Sequence, residues 1–236
     1  MSINSKTFTQ TCGFGCLGLS GIYGGYSFEN YHAEGLNHQL NKELENMGVN
    51  DQRYDFRTGM GFRFGMNIVR ANFDDYFFTV KGYYQFLEES QTVTALLLPG
   101  EEFDFKSKFE MNHWALGFDF GIPVFNFVDW KIVDGSLKFF NTKLTQQDIY
   151  ENKVVQEKTF NIPKITMGYA VGSGLIIHII KDFVSIEGTG MYNFTKIENL
   201  TNDNNTEHLP NDDSEFPLVT KGGLSAVVQL NIGIPL

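Results

Sequence analysis

Strand-like segments alternate along this chain with connections that are long, short, long, short, long, short and long. The eight predicted strands are 13–28, 55–69, 76–88, 108–122, 129–142, 163–179, 183–197 and 218–234. The long connections are 29–54, 89–106, 143–160 and 198–216, and the short ones lie near 70–75, 123–128 and 180–182. An antiparallel up-and-down barrel has this asymmetry when its loops are large at one end and minimal at the other. The alternation of long and short connections therefore predicts one all-β domain over 1–236, an eight-stranded antiparallel barrel.

A period-two pattern divides most of the predicted strands into an apolar face and a small or polar face. In the last strand, Leu224, Val228 and Leu230 alternate with Ser225 and Gln229. Side chains on a strand point alternately to its two sides, so each set lines one side of the sheet. The Gly-rich first strand has no clear register. Segment 129–142 alternates poorly, which indicates a bulge near Trp130.

The polar face carries single charges of both signs, spaced over several strands. An eight-stranded barrel has an interior just wide enough for side chains to fill it. Buried charges must be paired or hydrogen-bonded, so this face is expected to form an internal ion-pair network beneath an apolar, lipid-facing exterior. The residues predicted for this network are Arg57, Arg63, Lys81, Asp119, Asp134, Lys138, Lys164 and Glu187.

Charge and composition exclude several classes of protein. The formal net charge of −10 argues against a nucleic-acid partner, because few cations are present to neutralise phosphates. No segment approaches the roughly 18 apolar residues of a transmembrane helix. Aromatic residues make up 15% of the chain, and many of them fall near predicted strand ends, as in the interfacial girdles of membrane barrels.

The first long connection contains a predicted helix. In YHAEGLNHQLNKELENMGV, Leu36, Leu40, Leu44 and Met47 recur at helical spacing, and Gly48 is a suitable stop. With this helix and the strand pattern, residues 12–236 resemble small eight-stranded outer-membrane barrels of the OmpA/OmpX-like class. They are loosely similar to uncharacterised barrels of Bacteroidota-type outer membranes. The resemblance implies a Gram-negative outer membrane, with termini and short turns in the periplasm and long loops outside.

The N-terminal residues bear on export. The opening MSINSKTFTQT has no apolar signal segment, so either the mature protein begins near residue 1 or the protein stays in the cytosol. Cys12 and Cys16 lie four positions apart with no His or further Cys nearby to complete a zinc set. On one strand they would be about 13 Å apart, too far for a disulfide. Packed free thiols are the simpler expectation.

A search for catalytic chemistry finds no strong motif. Lipid-acting barrel enzymes, such as the outer-membrane palmitoyltransferase and lipid A deacylase families, carry His and Ser with an acid at the rim. Here only tertiary structure could bring His32 to Asp213 and Ser214. His113 is expected to be a hydrogen-bonded lumen residue. The acidic last loop lacks the turn Gly of a calcium site, so no metal or cofactor is expected.

Two apolar segments in the long connections are candidates for partner docking. They are the helix stripe of Leu36, Leu40, Leu44 and Met47, and Leu96, Leu97 and Leu98 in the stretch TVTALLLPG. An apolar patch of this kind marks interaction sites. The alternative is that the helix packs on the barrel rim or on neighbouring loops.

These observations favour a non-enzymatic barrel with a packed, non-conducting lumen. It would act as an anchor, scaffold or subunit of an envelope complex, contacting lipid through its wall and a protein partner through loops 29–54 and 89–106. A lipid-modifying rim enzyme and a soluble lipocalin-like carrier of an apolar ligand are the alternatives. The carrier would need the apolar face to point inward.

Overall fold

The computed structural model describes residues 21–73, 75–98, 101–181, 183–202, 207–210 and 216–233, and they form strands with one helix. In chain order the elements are β1 (Gly21–His32), α1 (Glu34–Asn46), β2 (Thr58–Asn72), β3 (Phe77–Gln85), β4 (Glu88–Leu98), β5 (Glu101–Phe125), β6 (Val128–Tyr150), β7 (Lys153–Asn161), β8 (Thr166–Ile180), β9 (Val184–Phe194), β10 (Leu200–Asn202), β11 (His208–Leu209) and β12 (Lys221–Gly233).

Eight of these strands close into an antiparallel ring. Each strand pairs with the next in the order β1, β2, β3, β5, β6, β8, β9 and β12, and β12 returns to pair with β1. The predicted fold class, an eight-stranded antiparallel barrel with a short helix in the first long connection, is confirmed. Against β8, the register of β6 shifts between Lys131 and Asp134, beside Trp130, where a bulge was predicted.

The pattern predicted loops for the connections 89–106 and 143–160, but both are largely strands. Strands β5 and β6 run past the ring at the end where the long connections lie, and β4, β7, β10 and β11 continue the sheet there. We call this six-stranded continuation, together with α1 and the segment leading to β2, the extension. On β4, polar residues fall on both faces, with Glu89 and Gln91 on the inner face and Ser90 and Thr92 on the outer one, so the sequence there does not alternate as a half-buried strand does.

The exterior of the ring carries an apolar belt. On β5, Trp114, Leu116 and Phe118 are exposed, and the same face continues to Val124 near the short turn. These eleven residues span about 33 Å along the strand, or about 25 Å of height at a tilt of about 40°. That height matches the hydrocarbon band of a membrane barrel. The apolar side faces outward, so the lipocalin-like alternative is wrong.

The belt ends abruptly at the extension. On the outward face of β5, Lys108 and Glu110 follow the same alternation as Trp114, and they form an ion pair at 3.2 Å. Between β3 and β4, exposed Phe86 is followed two residues later by exposed Glu88, the first residue of β4. The outer surface therefore changes from lipid-compatible to water-compatible within single strands, and this change separates the barrel from the extension.

The extension has its own hydrophobic core, on which α1 packs. Leu36, Leu40 and Leu44 of α1 are at most 2% exposed and contact a cluster that includes Phe109 and Leu144 of the sheet. The helix forms because these leucines lie one turn apart, and the chain leaves it at Gly48, whose φ of +84° favours glycine. These three leucines of the helix stripe are therefore part of the core.

Several predicted features lie outside the described residues. They are Cys12, Cys16, the part of the first predicted strand before residue 21, Asp213 and Ser214. Among the described residues, α1 is neither long nor apolar enough to span a membrane.

Candidate functional site

Five charged side chains form a cluster inside the ring, which we call the lumen network: Lys81, Asp119, Lys131, Asp134 and Glu187. Lys81 Nζ donates to Asp119 Oδ1 and Asp134 Oδ2, each at 2.7 Å. Lys131 Nζ donates to Glu187 Oε1 at 2.5 Å and also to Asp134. All five side chains are at most 7% exposed. Strands β3, β5, β6 and β9 are tied together across the interior.

Lys131 is the one member of the lumen network that was not predicted from the sequence, and it is central to the network. Its ammonium group contacts all three carboxylates, the third being Asp119 at 3.4 Å. Lys131 lies at the bulge, where the alternation of β6 breaks, so its position in sequence did not reveal which way it points. The carboxylates bring one oxygen each within 4.8 Å of one another, a spacing that suits a metal ion. The Lys131 ammonium takes the place of such a cation.

A second buried ion pair lies nearer the extension. Lys138 Nζ donates to Glu29 Oε2 at 3.0 Å and to Asn193 Oδ1 at 2.6 Å, and all three side chains are buried. Lys138 was predicted here, but Glu29 and Asn193 were not. Glu29 fell in the segment assigned to a loop, because strand β1 extends to His32 rather than ending at residue 28.

Arg63 is buried in the lumen as predicted, but it has no carboxylate partner among the described residues. Its Nε donates to Gln85 Oε1 at 2.7 Å, and its guanidinium lies 4.1 Å from the centroid of the Tyr83 ring. The Tyr83 hydroxyl in turn donates to Ser136 Oγ at 3.1 Å. A cation–π contact and an amide therefore stabilise this charge.

Two residues predicted for the lumen lie elsewhere. Arg57 precedes β2 and is exposed, where it pairs with Asp55. Lys164 is exposed in the connection between β7 and β8. Both assignments were wrong because the ring strands begin later than predicted, at Thr58 and Thr166, so neither residue is on a strand. The lumen charges are instead confined to the closed ring.

The short-turn end of the lumen is closed by a third polar group. Asp129 Oδ2 lies 2.8 Å from His178 Nε2 and 3.3 Å from Arg70 Nη2. The Arg70 guanidinium also lies 4.9 Å from the centroid of the Phe77 ring. Buried polar groups thus follow one another along the lumen from this end to the extension core.

Glu89 anchors the base of the extension to the barrel. Its Oε2 accepts from the Tyr31 hydroxyl at 2.7 Å and from the backbone N–H groups of Thr58 at 2.6 Å and Arg57 at 2.9 Å. One carboxylate therefore joins the end of β1, the start of β2 and β4. Charge-assisted bonds of this kind are about twice as strong as neutral ones.

Tyr54 fixes the segment between α1 and β2 to the sheet. Its hydroxyl donates to the carbonyl oxygen of Phe105 at 2.7 Å, and the residue is 5% exposed. Burial raises the pKa of Tyr54 to about 12, because the phenolate would be poorly solvated there. Amide groups of Asn37 and Asn41 hold the same segment by bonds to the backbone of Phe56 and Tyr54.

The predicted docking residues divide into buried and exposed groups. Leu36, Leu40 and Leu44 lie in the extension core, so a partner cannot contact them. Met47 is 42% exposed and Leu96 is 68% exposed. The side chains of Leu97 and Leu98 lie outside the described residues.

The far end of the extension also exposes apolar side chains that sequence analysis did not single out. Val154 and Val155 on β7 are 52% and 59% exposed, next to the two-residue turn at Glu151 and Asn152. Both turn residues have positive φ, as a tight hairpin requires. We call Leu96, Val154 and Val155 the tip residues. They lie on strands β4 and β7 of the extension sheet, well beyond the belt.

Comparison with known proteins gives likeness of fold only. No protein-family model matches the chain, and no curated protein matches it. Among solved structures, it is similar to Ail, the attachment invasion locus protein of Yersinia pestis, with 15% identity, TM-score 0.40, and 92% of this chain and 97% of that chain covered. It is also similar to Neisserial surface protein A, with 10% identity, TM-score 0.39, and coverage of 92% and 99%. A third similar structure is the outer membrane protease OmpT from Escherichia coli, with 10% identity, TM-score 0.39, and coverage of 97% and 99%.

Proposed function

We propose that this protein is an integral barrel of a bacterial outer membrane that does not conduct solutes and holds a folded binding platform at the membrane surface. It serves as an anchor, scaffold or subunit of an envelope complex. The long-loop end faces outward from the cell, and the termini and short turns face the periplasm. The belt height and the packed interior support this proposal.

The observation that carries the proposal is the contrast between the two ends of the same strands. Inside the ring, the lumen network and the Lys138–Glu29 pair fill the space that a channel would need. Outside it, the extension has a separate core of more than twenty buried residues, among them Phe105 and Phe109. A rigid platform on a closed barrel suits recognition rather than transport.

The contact surface that we propose is the tip rather than the helix stripe. The tip residues are exposed and apolar on a part of the molecule whose outer face is otherwise polar. Exposed apolar residues of this kind favour contact with a protein. This retains loop 89–106, through Leu96, as part of the partner surface, whereas loop 29–54 contributes mainly internal packing.

Location is tested by membrane fractionation and gel migration. The intact protein is expected in the outer-membrane fraction, with faster migration before boiling than after it. In a variant with Cys12→Ser and Cys16→Ser, a cysteine introduced at Glu157 in the extension is expected to react on whole cells with a membrane-impermeant maleimide, whereas one at Phe127 in a short turn is not. Recovery in the cytosol, or labelling only at residue 127, would contradict the proposal.

The partner surface is tested by photo-crosslinking on cells. A photoreactive amino acid at Val155 is expected to capture a discrete protein, and the same amino acid at Glu157, exposed on the same strand, serves as the control. A discrete adduct at residue 155 that Leu96→Asp abolishes supports the tip as the contact. Equal adducts at both positions, or none at residue 155, count against it.

We propose further that the protein is not an enzyme. His113 is buried and its Nδ1 lies 3.5 Å from the Met111 carbonyl oxygen, and His178 is paired with Asp129 at the short-turn end. Neither position suits attack on a lipid at the long-loop rim. Comparison of lipid A composition between cells with and without the protein is expected to show no difference, and a change that depends on His32 would overturn this.

A further inference from the structure

A groove interrupts the apolar belt where β9, β12 and β1 meet. Its volume is about 490 Å³, and its walls include Phe28, Tyr192 and Leu224. Its floor is formed at Gly190 and Ala226, which are opposite each other in the β9–β12 register. Because the belt faces hydrocarbon, an apolar groove here is exposed to lipid chains.

Gly190 makes the groove deep. A Cβ at Gly190 would have no heavy atom within 4 Å apart from its chain neighbours, so packing against the protein does not require glycine. Its φ is not in the left-handed region, so backbone geometry does not require it either. Glycine in a strand interior weakens the strand and often marks a place that a ligand approaches closely.

The end of the groove nearest the extension is polar, and a positively charged residue lies just beyond it. Asn30 lines the groove, and its Oδ1 accepts from the Thr58 hydroxyl at 3.1 Å, while its amide N–H groups have no acceptor among the described residues. The next exposed residues towards the extension are His32 and Lys221, which are opposite each other in the β1–β12 register. Lys221 has no carboxylate partner in the described part of the chain, whereas nearby Lys196 is paired with Glu198 at 2.9 Å.

We propose that the groove binds one acyl chain of lipid A, with a lipid phosphate on Lys221 and Asn30. An apolar slot that ends at an amide, with a lysine beyond it that has no carboxylate partner among the described residues, complements an acyl chain that ends at a phosphorylated headgroup. The proposal rests on the proposed function, since lipid A is the phosphate-bearing lipid beside this groove only if the long-loop end faces outward.

The test measures lipid bound to the barrel refolded in detergent micelles, by native mass spectrometry. Gly190→Leu fills the groove, and Gly188→Leu is its matched control, because Gly188 is exposed on the same strand, has equally open space and does not line the groove. Lys221→Gln removes the cation, and Lys181→Gln, exposed at the short-turn end, is its control. Heat-modifiable migration verifies that every variant folds.

Gly190→Leu is expected to reduce retained lipid A at least about fivefold, because the leucine side chain occupies the groove and the acyl chain loses its van der Waals contacts with the groove walls. Lys221→Gln is expected to reduce it about fivefold. Both controls should stay within about twofold of the wild type. Equal losses in Gly190→Leu and Gly188→Leu, or no loss in either, would overturn the groove.

Phosphatidylglycerol and phosphatidylcholine are tested in parallel as competing occupants. Selective retention of lipid A supports the proposal, whereas equal retention of phosphatidylcholine, which has no net charge, overturns the role of Lys221. Because binding is measured on purified protein, its failure is distinguishable from failure of the proposed function. Recovery of the protein outside the outer membrane would refute the proposed function without changing the result of the binding measurement.

Discussion

Lys138 on β6 donates to Glu29 on β1 across the full width of the barrel, with Nζ and Oε2 3.0 Å apart. The two strands are four places apart in a ring of eight, so they are on opposite sides of the lumen. Both side chains are at most 2% exposed. This ion pair joins opposite walls of the barrel, and the stability of the closed ring should depend on it.

Glu29→Gln is expected to lower the free energy of unfolding by about 3–5 kcal/mol, because it leaves the Lys138 charge buried with only a neutral partner. Urea unfolding of the protein in lipid vesicles, followed by tryptophan fluorescence, measures this. Glu198→Gln breaks the exposed pair with Lys196 and should change stability by less than about 1 kcal/mol. If the two substitutions lowered the free energy of unfolding by similar amounts, the buried Lys138–Glu29 pair would contribute no more to stability than an exposed pair.

Single-channel recording should find no discrete conductance steps for the wild-type protein in a planar bilayer. In the lumen network, Lys81 and Lys131 each contact at least two carboxylates. We therefore expect these fixed, paired charges to block the passage of mobile ions. Reproducible steps at moderate voltage would refute a packed lumen.

Leu40→Ala should destabilise the extension and spare the barrel. The side chain is 1% exposed in the extension core, and truncation of a buried leucine costs about 2–5 kcal/mol. Limited proteolysis is expected to cut the α1 region faster while heat-modifiable migration persists. Met47→Ala, on the same helical region but 42% exposed, is the control and should leave cleavage near the wild-type rate.

Alkaline pH should weaken the extension through Tyr54. Its pKa is raised from about 10 to about 12, so the contribution of the protonated hydroxyl to stability is complete below pH 10. It is lost as pH rises from 10 to 12, because the unfolded state ionises first. Proteolysis across this range measures the loss, and Tyr54→Phe should be less stable at neutral pH but show a smaller alkaline decline.

Much of the ring could be predicted from sequence because the lipid-facing side of each strand is continuously apolar. The alternation around Trp114 or Val228 therefore stands out. Strands β4 and β7 of the extension could not be predicted in this way, because polar residues fall on both of their faces, as Glu89 and Ser90 do on β4. In β7, both faces before Phe160 are exposed, so no alternation exists to be read.

Most of the lumen charges lie where the alternation is intact, and Asp134 and Lys138 were predicted in spite of the poor alternation of segment 129–142. Lys81, Asp119 and Glu187 follow a clean period of two, and the structure brings all three into one network. Lys131 was missed at a bulge, and Arg57 and Lys164 were included because strand ends are poorly marked when charged residues flank them. The burial of Leu36 and its neighbours on α1 needed knowledge of the extension sheet, which only the fold supplies.

The passage of β5 and β6 from the belt into the extension without a break has a mechanical consequence. Their register runs from Phe103 opposite Tyr150 to Phe125 opposite Val128, so one hydrogen-bonded ladder belongs to both parts. A partner that pulls on the tip residues along the strands loads the β4–β5 and β6–β7 ladders in shear, and many hydrogen bonds share the force before it reaches β5 and β6. The extension is therefore expected to resist force along the strands, because it cannot be separated from the barrel by breaking one hydrogen bond at a time.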